Sequence, residues 1–255
     1  MVNSGSGDSV IDRIVRVLAT FDRDRTVQTA TEISRRAQLP ASTAHRLAAE
    51  LTGAGLLERD EDGRYRVGLR LWELATRGSR ALGLREAAIP AMRFVQSRVR
   101  QHTQLAVIED DETLFLERLS HPDAVANIAH VAGRLPLHAS SSGLVLLAAA
   151  PAAVVDRVLS RPLPALAADT LTDPDDIRSK LAEVRRLGYA ASWGTVEAVS
   201  TGVAVPVSDS GEVIAALGVV LPRDSGDVRA VVAVLREASS QIGTALKAAR
   251  SRPMG

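Results

Sequence analysis

The stretch Leu39-Pro-Ala-Ser-Thr-Ala-His-Arg-Leu47 constrains this chain more than any other. Pro40 suits the opening turn of a helix, where its missing N–H costs nothing. Small and polar side chains (Ala41, Ser42, Thr43, His45, Arg46) then crowd the start of that helix. Such a face can enter a DNA major groove and bring donors to base edges and phosphates. An ordinary capped helix is the plainer reading, and the flanks discriminate between the two. Upstream, Thr29-Ala-Thr-Glu32 has capping-box spacing and predicts a short helix through Ile33 to about Ala37. Gln38-Leu39 then forms the tight turn between two helices. Downstream, Leu47, Leu51 and Ala54 keep helical spacing, and Gly53 and Gly55 provide a stop. Leu56-Leu-Glu-Arg59 and Arg64-Tyr-Arg-Val67 read as two short strands around the turn-rich Asp60-Glu-Asp-Gly63. Helix, turn, helix and hairpin together make a winged helix-turn-helix.

Lys and Arg number 31 against 30 Asp and Glu, so the surface is not coated with base. Affinity for a polyanion must come from local placement. The candidate groove and phosphate contacts are Ser42, Thr43, His45 and Arg46, with Arg36 nearby; Arg64 and Arg66 would approach the backbone from the wing. The expected partner is double-stranded operator DNA, pseudopalindromic if the protein binds as a symmetric homodimer or a tetramer built as a dimer of dimers.

Along the chain, Val10, Ile14, Val17, Leu18 and Phe21 form one helical stripe over the small winged domain. Leu69, Leu71, Trp72, Leu74 and Ala75 mark a helix over about 69–80 with apolar residues on more than one face, which favours packing against a second copy. Gly78 and Gly83 flank the expected hinge. A long helix follows from Leu84 to about Gln101, interrupted by Pro90. Strands are predicted at Leu105–Ile108 and Thr113–Arg118, strand-like pieces at Val125–Val131, and further strands at Gly202–Val207 and Val213–Leu221. Helices are predicted at about 142–150, 151–159, 174–187 (with Thr172 as cap) and 227–250. Antiparallel strands with helices on their faces define an α+β domain. The expected organisation is a disordered tail over 1–8, the winged unit over 9–68, a linker helix over 69–83, an α+β domain over 84–250 and a tail over 251–255.

Gly133-Arg-Leu-Pro-Leu-His-Ala-Ser-Ser-Ser-Gly143 is the second informative stretch. It leads a strand-like approach into an apolar helix whose first turn is rich in serine. Free N–H groups at such a helix start favour an anion. Ser141 or Ser142 acting simply as an N-cap is the plain alternative.

The run from Ser9 through Pro40-Ala-Ser-Thr-Ala-His-Arg-Leu47 and Gly55-Leu-Leu-Glu-Arg59 to Tyr65-Arg-Val-Gly-Leu-Arg-Leu71 resembles the IclR family of bacterial transcriptional regulators. Leu187-Gly-Tyr-Ala190, Ala204-Val-Pro-Val207 and Ala215-Ala-Leu-Gly-Val219 are similar to that family's effector domain, so the resemblance covers about residues 9–248. It implies a GAF-like effector-binding domain and no enzymatic activity or cofactor. Carried over by position, it implies an effector pocket near Ser141, Ser142, Glu197, Gly202, Gly218 and Val220, with Trp193 and Gly194 beside them. The chain departs from the family pattern in two places. The segment from Glu197 to Pro206 is about two residues shorter, and the last strand has Gly218 and Val220 where members that bind small oxoacids carry hydroxyls. Fewer donors and more room imply a larger or more apolar effector, with an aromatic acid as the working expectation. The family also implies a repressor of a catabolic operon.

Other classes are constrained as well. No apolar run is long enough to span a membrane, and the first residues do not form a signal peptide. The absence of cysteine removes thiolate chemistry and disulfides and fits a cytoplasmic home. There is no G-x-S-x-G elbow, dinucleotide fingerprint or P-loop. His121, His130 and His138 match no dense metal-ligand spacing. The remaining alternative is a small-molecule-binding or enzymatic α+β domain whose winged helix serves protein contacts.

Overall fold

The computed structural model describes residues 9–251 apart from residues 78, 123, 126, 225 and 226. The expected tail over 1–8, nearly all of that over 251–255, and the hinge glycine Gly78 lie outside the described residues. The chain divides into two compact units, residues 1–79 and 80–255.

In the first unit, α1 (Val10–Leu18) starts from a full capping box, in which Ser9 and Asp12 satisfy each other's backbone N–H groups. It is followed by β1 (Val27–Gln28), α2 (Ala30–Ala37) and α3 (Ala41–Gly53). The Thr29–Glu32 capping box forms as read, with the Thr29 N–H donating to Glu32 at 2.7 Å. Gln38 takes the left-handed conformation (φ 53°) that ends α2. The Ser34 hydroxyl donates to the Leu39 carbonyl at 2.8 Å and holds the turn into α3. Pro40 sits one position earlier than expected, as the N-cap of α3. The wing is β2 (Leu57–Arg59) with β3 (Tyr65–Val67), and β1 adds a third strand in the order β1-β3-β2. β1 has only two residues, too few for an alternation to show in sequence. Val17, Ile33, Leu47, Leu51, Leu57 and Tyr65 form the core. The last element is α4 (Leu69–Thr76), none of whose residues is buried.

The second unit opens with α5 (Arg80–Val99), which runs through Pro90 without a break. Gly83 therefore lies inside a helix and not in a hinge. Next come β4 (His102–Glu109), β5 (Glu112–Leu119) and β6 (Arg134–Pro136), then α6 (Ser141–Ala149), α7 (Ala152–Leu159) and α8 (Pro174–Leu187). β7 (Ala190–Trp193), β8 (Ser200–Asp209), β9 (Glu212–Pro222) and α9 (Val228–Arg250) complete the chain. The N-cap of α8 is Asp173, not Thr172; its carboxylate accepts from the N–H groups of Asp175 and Asp176. The strand expected within Val125–Val131 is irregular backbone, and β6 pairs with β5 instead.

The six strands form one antiparallel sheet in the order β6-β5-β4-β9-β8-β7. Its two faces differ in side-chain size, and this difference makes room for the site. On one face Leu105, Val203, Val205, Leu217 and Val219 pack against α5 and α9. On the other, Ala106, Ala190, Ala204 and Ala216 pack under α6 and its neighbours. Because successive strand residues alternate between faces, Gly202 and Gly218 belong to this second, small-residue face. α6 has eight of its nine residues buried and is apolar nearly all round, as a helix enclosed by protein must be. The small face lets it lie close to the sheet.

Candidate functional site

In the winged unit, Leu47, Ala48 and Leu51 anchor α3 in the core while Ser42, His45 and Arg46 face solvent and Thr43 is half-buried. The four predicted groove residues thus share the outward face of the second helix of the helix-turn-helix. The Arg46 guanidinium rests on Glu50 at 2.7 Å, with both side chains more than half exposed. Such an exposed pair contributes little stability and is easily exchanged for a phosphate. Arg36 is placed differently from the sequence reading. It binds Asp22 at 2.9 Å and its side chain is only 23% exposed. Burial works against the Asp22 carboxylate, but Arg36, the Asp24 N–H and Arg25 outweigh it and hold its pKa below the usual value. Arg36 therefore ties α2 to the turn after α1. Within the wing, Arg66 pairs with Glu58 at 2.8 Å, whereas the exposed Arg64 uses its backbone N–H to close the tip on Asp60.

The second unit holds a cavity of about 410 Å³, counting its open mouth, at the N-terminus of α6. Its floor is the small-residue face of the sheet, where register places Ser192 beside Gly202 and Gly202 beside Val220. Gln104 lies one row further along, opposite Gly218. One wall is the loop between β5 and β6, which contributes Asn127 and Ala129. That loop is strapped down by Arg118, which donates to the carbonyls of Asn127 (3.1 Å) and Ala129, and by His102 Nε2 at 2.8 Å from the Val125 carbonyl. The opposite wall is the β7–β8 loop with Thr195, Val196 and Glu197. Thr170 donates to the Thr195 carbonyl at 2.5 Å, and Arg223 bridges Asp169 (2.6 Å) and the Ala198 carbonyl (3.2 Å) to fix this loop.

The N-cap of α6 is Ser140, whose hydroxyl accepts from the Gly143 N–H at 3.1 Å. This leaves Ser141 and Ser142 free of the capping role that the sequence left open, and both line the cavity. Two further donors there are buried without a partner, the side-chain amides of Gln104 and Asn127. An unsatisfied buried donor is costly, so a cavity that collects two beside a helix start is suited to an anionic or acceptor-bearing ligand. Sequence reading missed both. The signal for Gln104 was a polar residue among the apolar residues of a strand, facing the core side.

Of the eight predicted effector residues, Ser141, Ser142, Glu197, Gly202 and Val220 line the cavity, and Trp193, Gly194 and Gly218 do not. Trp193 ends β7 and is 46% exposed. Gly194, at φ 66°, turns the chain beneath the Arg223–Asp169 pair. A Cβ on Gly218 would lie 3.0 Å from the Ser142 hydroxyl, and one on Gly202 would lie 2.7 Å from that of Ser141. The space expected to enlarge the pocket is instead occupied by the serines of α6. The histidines are committed to backbone: His102 as above, His138 to the Pro164 carbonyl at 3.1 Å, and His130 to the Ile128 carbonyl at 3.2 Å. Among the described residues no group of three metal-ligating side chains converges.

A winged helix-turn-helix joined to an α+β domain with a donor-lined cavity defines a ligand-responsive transcriptional regulator. Residues 10–61 match the IclR helix-turn-helix domain, and residues 79–244 match the bacterial transcriptional regulator IclR C-terminal domain. The chain belongs to the IclR family. It is similar to an IclR homolog of Microbacterium hydrocarbonoxydans, crystallised in complex with 4-hydroxybenzoate, with 57% identity and a TM-score of 0.90 over 94% of this chain and 100% of the other. The HTH-type transcriptional regulator XynR of Escherichia coli is 29% identical over 246 residues, 95% of this chain and 97% of its own. The Pca regulon regulatory protein of Pseudomonas putida is 28% identical over 214 residues, 81% of this chain and 72% of its own. These relatives are regulators, and the correspondence runs along both units. Among the described residues no helix is long and apolar enough to cross a membrane.

Proposed function

We propose that this protein is a repressor of a catabolic operon which binds a pseudopalindromic operator as a homodimer or dimer of dimers and is released by an aromatic monocarboxylic acid. The observation that carries this reading is the set of donors around the start of α6: the Gln104 and Asn127 amides without partners, and the hydroxyls of Ser141 and Ser142 lining the same cavity. Together with the N–H groups of the first helical turn they offer a carboxylate neutral donors and a favourable dipole end. Phe115, Leu135 and Val220 supply apolar surface for a ring. The Microbacterium relative's 4-hydroxybenzoate complex supports the same ligand class here.

On the DNA side, Ser42, Thr43, His45 and Arg46 read the groove and Arg64 reaches a phosphate. Arg66, paired with Glu58, is a secondary contact, and Arg36 is reassigned to bracing. Exposure of Leu69 (73%), Trp72 (65%) and Leu74 (53%) on α4 supports self-association. With His138 held by Pro164, the serines of α6 have no base from the neighbouring histidine, which favours binding over catalysis. The test is calorimetric titration of benzoate and of a short oxoacid such as glyoxylate, followed by gel shift on the operator with each compound. Heat and operator release from benzoate support the reading; a response to the short oxoacid alone overturns it.

A further inference from the structure

Glu197 is the odd member of the cavity. Among the residues that line it there is no Lys, Arg or His, yet this carboxylate belongs to the wall and is half-buried. No hydrogen bond or ion pair engages its side chain. Its backbone is fully used, because the carbonyl accepts from both the N–H (3.0 Å) and the hydroxyl (3.1 Å) of Ser200. The side chain is therefore not needed to hold its own loop, which Arg223, Thr170 and Ser200 already fix.

The cavity thus has two chemical ends. Around α6 are donors without acceptors: Gln104, Asn127, Ser141 and Ser142. In the β7–β8 loop is an acceptor without a donor, carrying full negative charge. A carboxylate ligand is held at the first end and repelled from the second, since like charges at close range in a half-buried site disfavour each other. An ionised carboxylate only accepts hydrogen bonds, so the group that meets Glu197 must donate one.

We infer that Glu197 reads a hydrogen-bond donor on the part of the effector remote from its carboxylate. The ligand class is then a hydroxylated or amino-substituted aromatic monocarboxylate, and aromatic dicarboxylates are rejected. This rests on the aromatic-acid reading above and adds a specificity-determining residue to it. The phenolic O–H donates to a Glu197 oxygen, a charge-assisted bond of the stronger kind. A second carboxylate in that place would meet charge and find no donor.

The test uses the full-length protein in calorimetric titrations with benzoate, 4-hydroxybenzoate and benzene-1,4-dicarboxylate, on wild type and Glu197→Gln, with circular dichroism to confirm folding. Gln keeps the shape, removes the charge and offers an N–H. In wild type, 4-hydroxybenzoate should bind about tenfold or more tightly than benzoate, the factor expected of one hydrogen bond to a charged group. In Glu197→Gln that preference should shrink to a few-fold, and dicarboxylate binding should rise about tenfold. A merely structural Glu197 would weaken all three ligands together and leave their order unchanged. Benzoate binding with no hydroxyl preference, or a preference that survives in Glu197→Gln, overturns the role of Glu197 alone. Failure of wild type to bind any of the three overturns the aromatic-acid reading and this inference with it. If Glu197→Gln does not fold, Glu197→Leu should show the same loss of hydroxyl preference.

Discussion

Two glycines show how single positions fix the sites. Gly68, the glycine of the Tyr65-Arg-Val-Gly68 motif, packs so closely on the wing that a Cβ would stand 2.3 Å from the Gly55 carbonyl oxygen. Gly143, in the first turn of α6, would meet the Leu137 carbonyl at 2.3 Å and the Thr113 hydroxyl at 2.6 Å. Since backbone cannot swing aside as a side chain can, Gly143→Ala should destabilise the second unit by about 1–3 kcal/mol, read from urea denaturation. Arg46 makes the opposite case, exposed and bound only to Glu50. Arg46→Ala should leave the melting temperature nearly unchanged, weaken operator binding, and reduce the salt dependence of binding by about one counterion. Unchanged operator affinity at fixed salt would remove Arg46 from the interface. His102 carries the pH dependence. Burial, and then the nearby Arg118 charge, push it below the ordinary 6.5 against the raising effect of the Val125 carbonyl; burial does the same to His138. Above 6.5 the ring is neutral in both folded and unfolded chains and stability is full. Below it the unfolded chain takes up the proton first, so stability falls with pH until the folded value is passed. The melting temperature should drop between about pH 7.5 and about pH 5.5, and His102→Gln should flatten part of that slope.

At the level of elements, the contrast between α4 and α6 is informative. α4 is apolar on several sides and none of its residues is buried, while α6 is apolar nearly all round and almost wholly buried. Hydrophobicity alone does not distinguish them; what covers each does. For α4 the expected cover is a second copy. Trp72→Glu should therefore lower the association state seen by sedimentation and weaken operator binding in parallel, with circular dichroism unchanged. A variant as oligomeric as wild type would take α4 out of the interface. The β5–β6 loop marks where pattern reading failed. Val125, Ile128 and Val131 resemble strand spacing, but no strand edge receives them. Their segment is held by Arg118, His102 and Gln101, residues distant in sequence.

Across the whole molecule, the family assignment and the cavity predict thermodynamic reciprocity. If a saturating aromatic acid weakens operator binding by some factor, operator DNA must weaken binding of that acid by the same factor, measurable by titrating in both orders. Unequal factors at equilibrium would mean that the acid acts elsewhere. The winged unit was legible because its signals are local: a capping box, a turn, a stop and a hairpin tip act within a few residues, and Thr29, Gln38 and Gly55 did what their chemistry requires. The start of α6 was legible for the same reason. The cavity was not, beyond Ser141, Ser142, Glu197, Gly202 and Val220. Its wall and floor come from β4, the β5–β6 loop and the β7–β8 loop, and only the antiparallel register sets Gln104 opposite Gly218 and Gly202 beside Val220. The amino-acid order by itself determined which segments become helices and turns, and that the second helix of the winged unit turns its polar face outward, because those outcomes depend on short-range hydrogen bonding and periodicity. Tertiary structure alone decided that Gly202 and Gly218 make room for serines, that Arg36 is a brace, and that Glu197 is left without a partner, because each depends on which distant side chain arrives beside it.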